Sequence, residues 1–281
     1  MKRFLGRIDN QGVTNVVSMI MIMAIVVSFL GMVFATYLPA WGKDIEVQTL
    51  DEVMNSFMDL KSGFDTLSVG GSPGTAITTK MTLGSQGGPL FGFGRMTGSI
   101  SLEEEDGLMT VRDSDGFTYG QTRGTIDYDS NNLYVDDQKI TLEGGAIIRE
   151  QGISSVLKGP PNLIVDRDSG TGDIRVYVLL INLEGDTVSY TGTGSYMITT
   201  TLLTEESSTY EISAGTDVRI TMDTAYFEVW ETAVDDMMAQ ETMTKGVDYT
   251  LVEDAGGDMV LTISGVDDLV VRSSFFRVSM T

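Results

Sequence analysis

The chain has 281 residues, with 40 Asp and Glu against 18 Lys and Arg, and it contains neither Cys nor His. The missing side chains exclude disulfides, Ser-His-Asp and Cys-His catalysis, and nearly every zinc or iron site, which leaves carboxylate pairs and lysine as enzymatic options. A net charge of −22 repels nucleic acid phosphate, so the composition favours a non-catalytic protein that does not bind nucleic acid.

The charges are divided unevenly along the chain. Residues 1–42 carry Lys2, Arg3 and Arg7 against Asp9, whereas residues 43–281 carry 15 basic and 39 acidic side chains. Basic residues that flank an apolar span are retained on the inner side of a membrane. We therefore interpret residues 1–12 as a basic leader on the cytoplasmic side.

An uncharged stretch of 33 residues runs from Asn10 to Gly42. Its dense apolar part, residues 13–38, would extend over about 39 Å as a helix, and the hydrocarbon core of a membrane is about 30 Å thick. Tyr37 and Trp41 lie near its outer end, where amphipathic rings are favoured. The sequence predicts a single transmembrane helix at residues 13–38, with the ectodomain outside the cell.

A cleaved secretory signal peptide is the competing interpretation of the same stretch. The sequence Val33-Phe34-Ala35 offers a small-residue cleavage site, which would release a mature chain beginning at Thr36. The apolar region of a signal peptide is typically about 7–15 residues long, and this run is longer. We therefore favour a retained anchor.

Beyond the span, residues 44–68 show the pattern of an amphipathic helix. Apolar residues recur at spacings of three and four, which places them on one face: Leu50, Val53, Met54, Phe57, Leu60, Phe64 and Leu67. We expect the span and this amphipathic helix to be nearly continuous across Pro39, with acidic side chains on the exposed side.

Four small residues of the span lie along one helical face, because their spacings are 4, 3 and 4: Ala24, Ser28, Gly31 and Ala35. Such a row lets helix backbones approach closely inside a bilayer, so these residues are candidates for packing against copies of the same chain. Membrane helices are rich in small residues in general, and a chance row is equally compatible with the sequence.

After residue 70 the pattern changes to short β-strands separated by Gly and Asp. Strands are predicted at 75–83, 96–102, 108–112, 124–129, 174–183, 195–203, 209–213, 217–222, 247–254, 258–264 and 269–280. One inserted helix is predicted near residues 224–240, with Thr224 as its N-cap and Trp230 in its buried face. The predicted fold is mainly β: one long N-terminal helix followed by an antiparallel β-sandwich ectodomain.

The ectodomain could form one lobe or two. The Pro pair in KGPPN, residues 158–162, is typical of a seam between structural units. If two lobes are present, we place the first β lobe at 75–157 and the second at 162–281.

Two acidic clusters carry the alternating oxygen ligands that Ca²⁺ takes from a loop. They comprise Asp127, Asp129 and Asn131 in DYDSNN, and Asp166, Asp168 and Asp173 in DRDSGTGD. Neither cluster fits the twelve-residue calcium loop, because the glycine at position six and the final glutamate are missing. Turn chemistry explains the same residues equally well, so calcium stays a weak candidate and we predict no other cofactor and no catalytic residue.

The opening stretch QGVTNVVSMIMIMAIVVSFLGMVF, residues 11–34, resembles the amino-terminal helix of archaeal type IV pilin-like exported proteins. Three later stretches are similar to the same group: GGAIIREQG at 144–152, VYVLLINLEGDTVSYTGTGSY at 176–196 and DVRITMDTAYFEVW at 217–230. The resemblance implies a single-pass cell-surface protein with a large β ectodomain. It is either retained in the membrane or assembled with its copies into a filament through the N-terminal helix.

The opening motif of that group reads roughly Arg-Gly-Val-Ser-Glu-Val, and the matching residues here are Gln11, Gly12, Val13, Thr14, Asn15 and Val16. Asn15 stands where pilins often carry an acidic residue that helps to register neighbouring subunits. The basic-Gly junction cleaved by the archaeal prepilin peptidase has two imperfect candidates, Gly6 and Gly12. The alternative function is therefore a solitary membrane-anchored module that binds a glycan, calcium or an envelope partner.

Overall fold

The computed structural model describes residues 10–87, 94–185, 188–212 and 216–280, with side chains from residue 14 onward. One long N-terminal helix precedes a body built from three sheets and one further helix. The prediction of a mainly β protein with a long N-terminal helix and one inserted helix is confirmed.

The N-terminal helix runs in three continuous parts: α1 (Asn10–Met32), a π-helical turn (Val33–Tyr37) and α2 (Leu38–Gly70). In the π-helical turn, the backbone N–H of Leu38 donates to the carbonyl of Val33, five residues back. Pro39 accounts for this irregularity, because its ring has no N–H and would clash with the carbonyl of residue 35 in a regular α-helix. The wider turn lets the helix continue past Pro39 without a break.

Helix α2 packs onto the body between residues 50 and 67, through the apolar face that its spacing predicts. Six side chains of this face are buried: Leu50, Val53, Phe57, Leu60, Phe64 and Leu67. Phe64 makes an edge-on contact with Phe276, with ring centroids 5.0 Å apart, and Phe57 makes a similar contact with Tyr128 at 6.4 Å. Buried aromatic pairs of this kind make α2 a part of the interior of the body.

In the part of the chain that the structure describes, the body contains 17 strands. In chain order they are β1 (Ala76–Thr82), β2 (Ser85–Gln86), β3 (Arg95–Glu103), β4 (Met109–Asp113), β5 (Thr118–Thr122), β6 (Thr125–Asn131), β7 (Gln138–Glu143), β8 (Ala146–Gln151), β9 (Ser154–Gly159), β10 (Leu163–Arg167), β11 (Ile174–Glu184), β12 (Val188–Gly192), β13 (Ser195–Glu211), β14 (Val218–Met222), β15 (Tyr249–Glu253), β16 (Met259–Ile263) and β17 (Val266–Met280). These bounds refer to the described ranges given above.

The strands form three sheets. The central sheet has the order β1-β13-β17-β11-β10, and its β11–β17 pair is parallel while the other pairs are antiparallel. The seven-stranded sheet has the order β12-β3-β6-β7-β8-β9, with β2 also paired to β3, and the distal sheet has the order β15-β16-β14-β4-β5. All pairs in these two sheets are antiparallel.

Two hydrophobic cores fill the body. The helix core joins α2 to the central and seven-stranded sheets, and the distal core joins the distal sheet to the central sheet and to α3 (Phe227–Gln240). β11 contributes to both, because Val176 and Val178 belong to the distal core while Ile181 and Leu183 belong to the helix core. The first half of β11 alternates buried and more exposed residues, whereas residues 180–183 are buried in succession, where both faces of the strand are covered.

Strand pairing does not follow the predicted seam at residues 158–162. Each sheet combines strands from both sides of it, since β1 pairs with β13, β3 with β12 and β4 with β14. The ranges 75–157 and 162–281 are thus interleaved within the sheets. A proline pair marks a loop, but it carries no information about which distant strands will pair.

Helix α3 begins later than its predicted cap. Tyr226 occupies the N-cap position, and the prediction of Thr224 as N-cap is wrong. The Thr224 hydroxyl instead donates to the buried Glu143 carboxylate at 2.6 Å and accepts the N–H of Tyr226 at 3.1 Å. Trp230 is buried as predicted and lies in the distal core.

Replacing Phe64 with Ala should lower the free energy of unfolding by about 3–5 kcal/mol, because it removes a fully buried ring and leaves a cavity against Phe276. Val69→Ala is the matched control on the same helix, since Val69 is 72 % exposed, and we expect a change below about 0.5 kcal/mol. Chemical denaturation of the detergent-solubilised chain measures both values. Equal losses for the two variants would show that α2 is not part of the cooperative core.

Candidate functional site: the apolar helix and its socket

The apolar half of the N-terminal helix lies outside both hydrophobic cores. Residues 14–41 are exposed except for Val33 and Leu38, which are half-buried. The most apolar 18-residue stretch of the helix has a mean hydropathy of 2.7, and none of it is buried. Exposure of so much apolar surface to water is unfavourable, and the helix is long and apolar enough to cross a membrane. It is therefore a candidate membrane anchor.

The four small residues predicted to pack against copies of the chain all lie in this exposed segment. Ala24, Ser28 and Gly31 belong to α1 and share one face, and a Cβ built on Gly31 would meet no atom within 4 Å. Ala35 lies inside the π-helical turn, whose wider spacing displaces it from the line of the other three. The row therefore consists of three aligned residues and a fourth offset one, and its role in packing stays a prediction.

The helix enters the body through a socket built around Glu46. This carboxylate is fully buried and accepts hydrogen bonds from three consecutive backbone N–H groups: Leu133 at 2.9 Å, Tyr134 at 2.8 Å and Val135 at 3.0 Å. The donors belong to the loop that joins β6 to β7. Charge-assisted bonds of this kind are roughly twice as strong as neutral ones, and they offset the cost of burying the carboxylate.

Tyr134 completes the socket by packing on Gly42, which lies one helical turn before Glu46. Its ring lies so close to the Gly42 backbone that any Cβ at position 42 would overlap it. Gly94 lies against the same stretch of backbone, because a Cβ built there would be 3.0 Å from the Gly42 carbonyl oxygen. Glycine at position 42 is therefore required for the helix and the loop to meet at this distance.

A second polar attachment holds the middle of α2. The Lys61 ammonium is nearly buried, donates to Asn162 Oδ1 at 2.6 Å and pairs with the Asp65 carboxylate at 3.1 Å. Asn162 Nδ2 in turn donates to Asp65 Oδ1 at 3.1 Å. Near the end of the helix, Arg272 donates to the Ser68 carbonyl at 3.0 Å. Three separate polar contacts thus hold α2 in one orientation on the body.

The sequence analysis did not single out Glu46, although a signal was present. Glu46 lies four residues before Leu50 and so continues the apolar face of α2. A carboxylate on a buried face needs hydrogen-bond partners, which predicts a polar site at that position. The partners themselves lie 87 to 89 residues away along the chain, beyond what local spacing can reveal.

The first calcium candidates, Asp127, Asp129 and Asn131, lie on strand β6 instead of in a loop. Asp127 already has partners, because it accepts a hydrogen bond from the Thr141 hydroxyl at 2.5 Å and pairs with the Lys139 ammonium at 3.5 Å. This carboxylate therefore stabilises the contact between β6 and β7.

The second calcium candidates, Asp166, Asp168 and Asp173, lie at the hairpin between β10 and β11. Asp168 accepts the N–H groups of Gly170 and Thr171 at 2.8 Å each, and these bonds lower the pKa of its carboxyl. This is the turn chemistry considered above. Within the described ranges, no group of three or more acidic side chains is arranged to hold a metal ion.

A second buried carboxylate, Glu143, fixes α3 on the seven-stranded sheet. It accepts hydrogen bonds from the Thr224 hydroxyl and from Trp230 Nε1 at 2.6 and 2.8 Å. Burial raises the pKa of this carboxyl, and the two hydrogen bonds oppose that shift. A raised carboxyl pKa in a cleft is typical of acid–base catalysis, but Glu143 is only 5 % exposed and its donors hold structural elements together.

The chain matches a family of unknown function (DUF7289) over residues 11–279, and it belongs to that family. The matched range includes both the apolar helix and the β body. No curated protein and no solved structure matches the chain.

Glu46→Ala leaves three backbone N–H groups of a part-buried loop without their acceptor and should lower the free energy of unfolding by about 3 kcal/mol. Glu52→Ala makes the same chemical change at an exposed position of α2, and we expect a change below about 0.5 kcal/mol. Denaturation in detergent compares the two. If Glu46→Ala costs no more than Glu52→Ala, the socket does not hold the helix.

The pKa of Glu143 is higher in the folded protein than the value of about 4.3 expected for an unfolded chain. Its contribution to stability is therefore fully present below that value and is lost as the pH rises through the folded pKa. The free-energy difference between the wild type and Glu143→Gln should shrink as the pH rises above about 4, as measured by chemical denaturation. A difference that does not change with pH would contradict a raised pKa.

Proposed function

We propose that this protein is a pilin-like, membrane-anchored subunit that displays an acidic β body outside the cell. The observation that carries the proposal is the division of one continuous helix. Residues 14–41 are apolar and exposed apart from half-buried Val33 and Leu38, while one face of α2 from Glu46 to Leu67 is buried in the body. One end of such a helix is stable in an apolar environment, and the other end packs as part of a folded domain.

The charges on either side of the span support the proposed orientation. Lys2, Arg3 and Arg7 precede the helix, and the chain after residue 42 carries a large acidic excess. The positive-inside bias then places the amino terminus in the cytoplasm and the body outside. Tyr37 and Trp41 are exposed near the outer end, where amphipathic rings favour the interface.

The exposed helix can be covered in two ways, and the proposal includes both. Lipid covers it while the protein is anchored, and copies of the same helix would cover it in an archaeal type IV pilin-like filament. The aligned Ala24, Ser28 and Gly31 favour close approach between such copies. The distance between backbones is then set by the smallest side chains of the row.

A solitary anchored module is the second candidate function. Asn15 is the observation that favours it, because it is neutral where pilins often carry the acidic residue that registers neighbours. In this case the helix retains the protein in the membrane, and the body binds an envelope partner, a glycan or calcium.

Gly31→Leu should abolish filaments in native material viewed by electron microscopy, while the protein stays in the membrane fraction. The larger side chain blocks close helix approach but adds to the hydrophobicity of the span. Val26→Leu on the opposite face of α1 is the control and should leave filaments intact.

Filaments that survive Gly31→Leu would contradict assembly through this row, and a wild type without filaments would favour the solitary anchor. Amino-terminal sequencing of the same material tests the anchor itself. A mature start between Arg7 and Val13 supports processing like that of a prepilin. A start at Thr36 would overturn both candidates, since the span would then have been removed.

A further inference from the structure

A groove of about 750 Å³ lies between strand β9 and helix α3. Ile153 and three consecutive β9 residues, Ser155, Val156 and Leu157, line one side. Residues of α3 line the other side, and Glu253 at the end of β15 closes part of the rim. The volume is within the range of roughly 300–1,000 Å³ that is usual for binding pockets.

The β9 side of the groove is a strand edge. Successive side chains of a strand point to opposite faces of the sheet. A groove lined by three successive residues, Ser155, Val156 and Leu157, therefore contacts both faces and runs along the edge of the strand. β9 is the last strand of the seven-stranded sheet and pairs only with β8 among the strands that the structure describes. Its outer N–H and C=O groups are therefore a template for an additional strand.

The α3 side is a single helical stripe. Glu228, Thr232 and Asp236 follow one another at intervals of four, and Val229 and Ala233 run beside them at the same interval. The stripe from 228 to 236 is about 12 Å long, and the β9 side from 153 to 157 is about 13 Å long. The two walls are thus matched in length. An edge strand facing a helix is the arrangement into which extended peptides insert as an added strand.

The groove is acidic and apolar. Glu228, Asp236 and Glu253 are exposed, and none of the residues that line the groove is basic. The nearest basic residue along β9, Lys158, is not in the lining, and Lys245 is paired with Glu231 and Asp235 of α3. Ile153 is fully exposed at the hairpin tip that forms the mouth. This lining complements a strand that carries basic and apolar side chains.

We propose that the groove binds an extended, basic segment of a partner protein, which adds as a strand to β9 and lies beneath α3. Its backbone pairs with the β9 edge, and its basic side chains meet Glu228, Asp236 and Glu253. A helical occupant would leave the β9 edge groups unpaired, and an acidic occupant would be repelled. The inference does not depend on the proposed membrane function, because the groove lies wholly within the body.

The test uses the detergent-solubilised full chain and a fluorescein-labelled heptapeptide of alternating Lys and Val. Saturable binding by fluorescence anisotropy is expected, with no binding to empty micelles and none of the matching Glu and Val peptide. Binding should weaken as salt rises, because the charge contacts lie at the surface. Failure of the Lys and Val peptide to bind would overturn the proposal.

Two further peptides separate strand addition from general attraction to an acidic protein. One is N-methylated at its Lys residues and the other at its Val residues, which leaves the side chains unchanged. Only alternate amides of an added strand face β9, so one peptide should bind like the parent and the other should lose at least about tenfold in affinity. Equal affinities for both peptides would contradict strand addition.

The protein variants locate the site. Glu228→Gln combined with Asp236→Asn should weaken binding by about tenfold or more, through loss of two charges in the groove. Glu206→Gln combined with Glu211→Gln removes the same charge from exposed positions of β13 and should leave binding unchanged. Thermal melts verify that both variants are folded. Equal affinities for the two double variants would place the peptide elsewhere and overturn the assignment.

Discussion

The three hydrogen bonds that residues 133–135 donate to the Glu46 carboxylate are the contact on which the rest of the structure depends. They lie where a helix suited to an apolar environment becomes the core helix of a water-exposed body. A buried carboxylate without these donors would carry a large desolvation cost, so the helix has one favourable position in the socket. Tyr134 packed on Gly42 removes the remaining freedom at the same point.

The helix and the β body cannot be treated as separate modules. Helix α2 supplies one side of the helix core, and the central sheet would expose Phe276 and its neighbours without it. The same sheet carries the distal core on its other face, so the distal sheet and α3 depend on it in turn. The candidate membrane anchor is therefore one end of an element whose other end is part of the helix core.

Local patterns predicted the fold class but not the long-range contacts. The apolar face of α2 and the exposed span were predicted because helical periodicity and uncharged length are local properties. Strands β2, β5, β7, β8, β9, β10 and β12 were not predicted, and in β7 and β8 charged residues such as Glu143 and Arg149 interrupt the alternation. The socket, the groove beside α3 and the interleaving across residues 158–162 depend on pairings between distant segments, which spacing does not encode.

The π-helical turn determines the direction in which the body faces around the helix axis. A helix advances by about 100° per residue, so the extra residue in one turn rotates everything before it relative to everything after it. Because α2 is fixed by the socket, the π-helical turn at residues 33–37 changes the angle, about the helix axis, between Gly31 and the groove beside α3. Loss of one residue there would rotate the body relative to Gly31 by about 100° around the helix axis. The composition of the exposed apolar segment and the fold of the body would both stay the same.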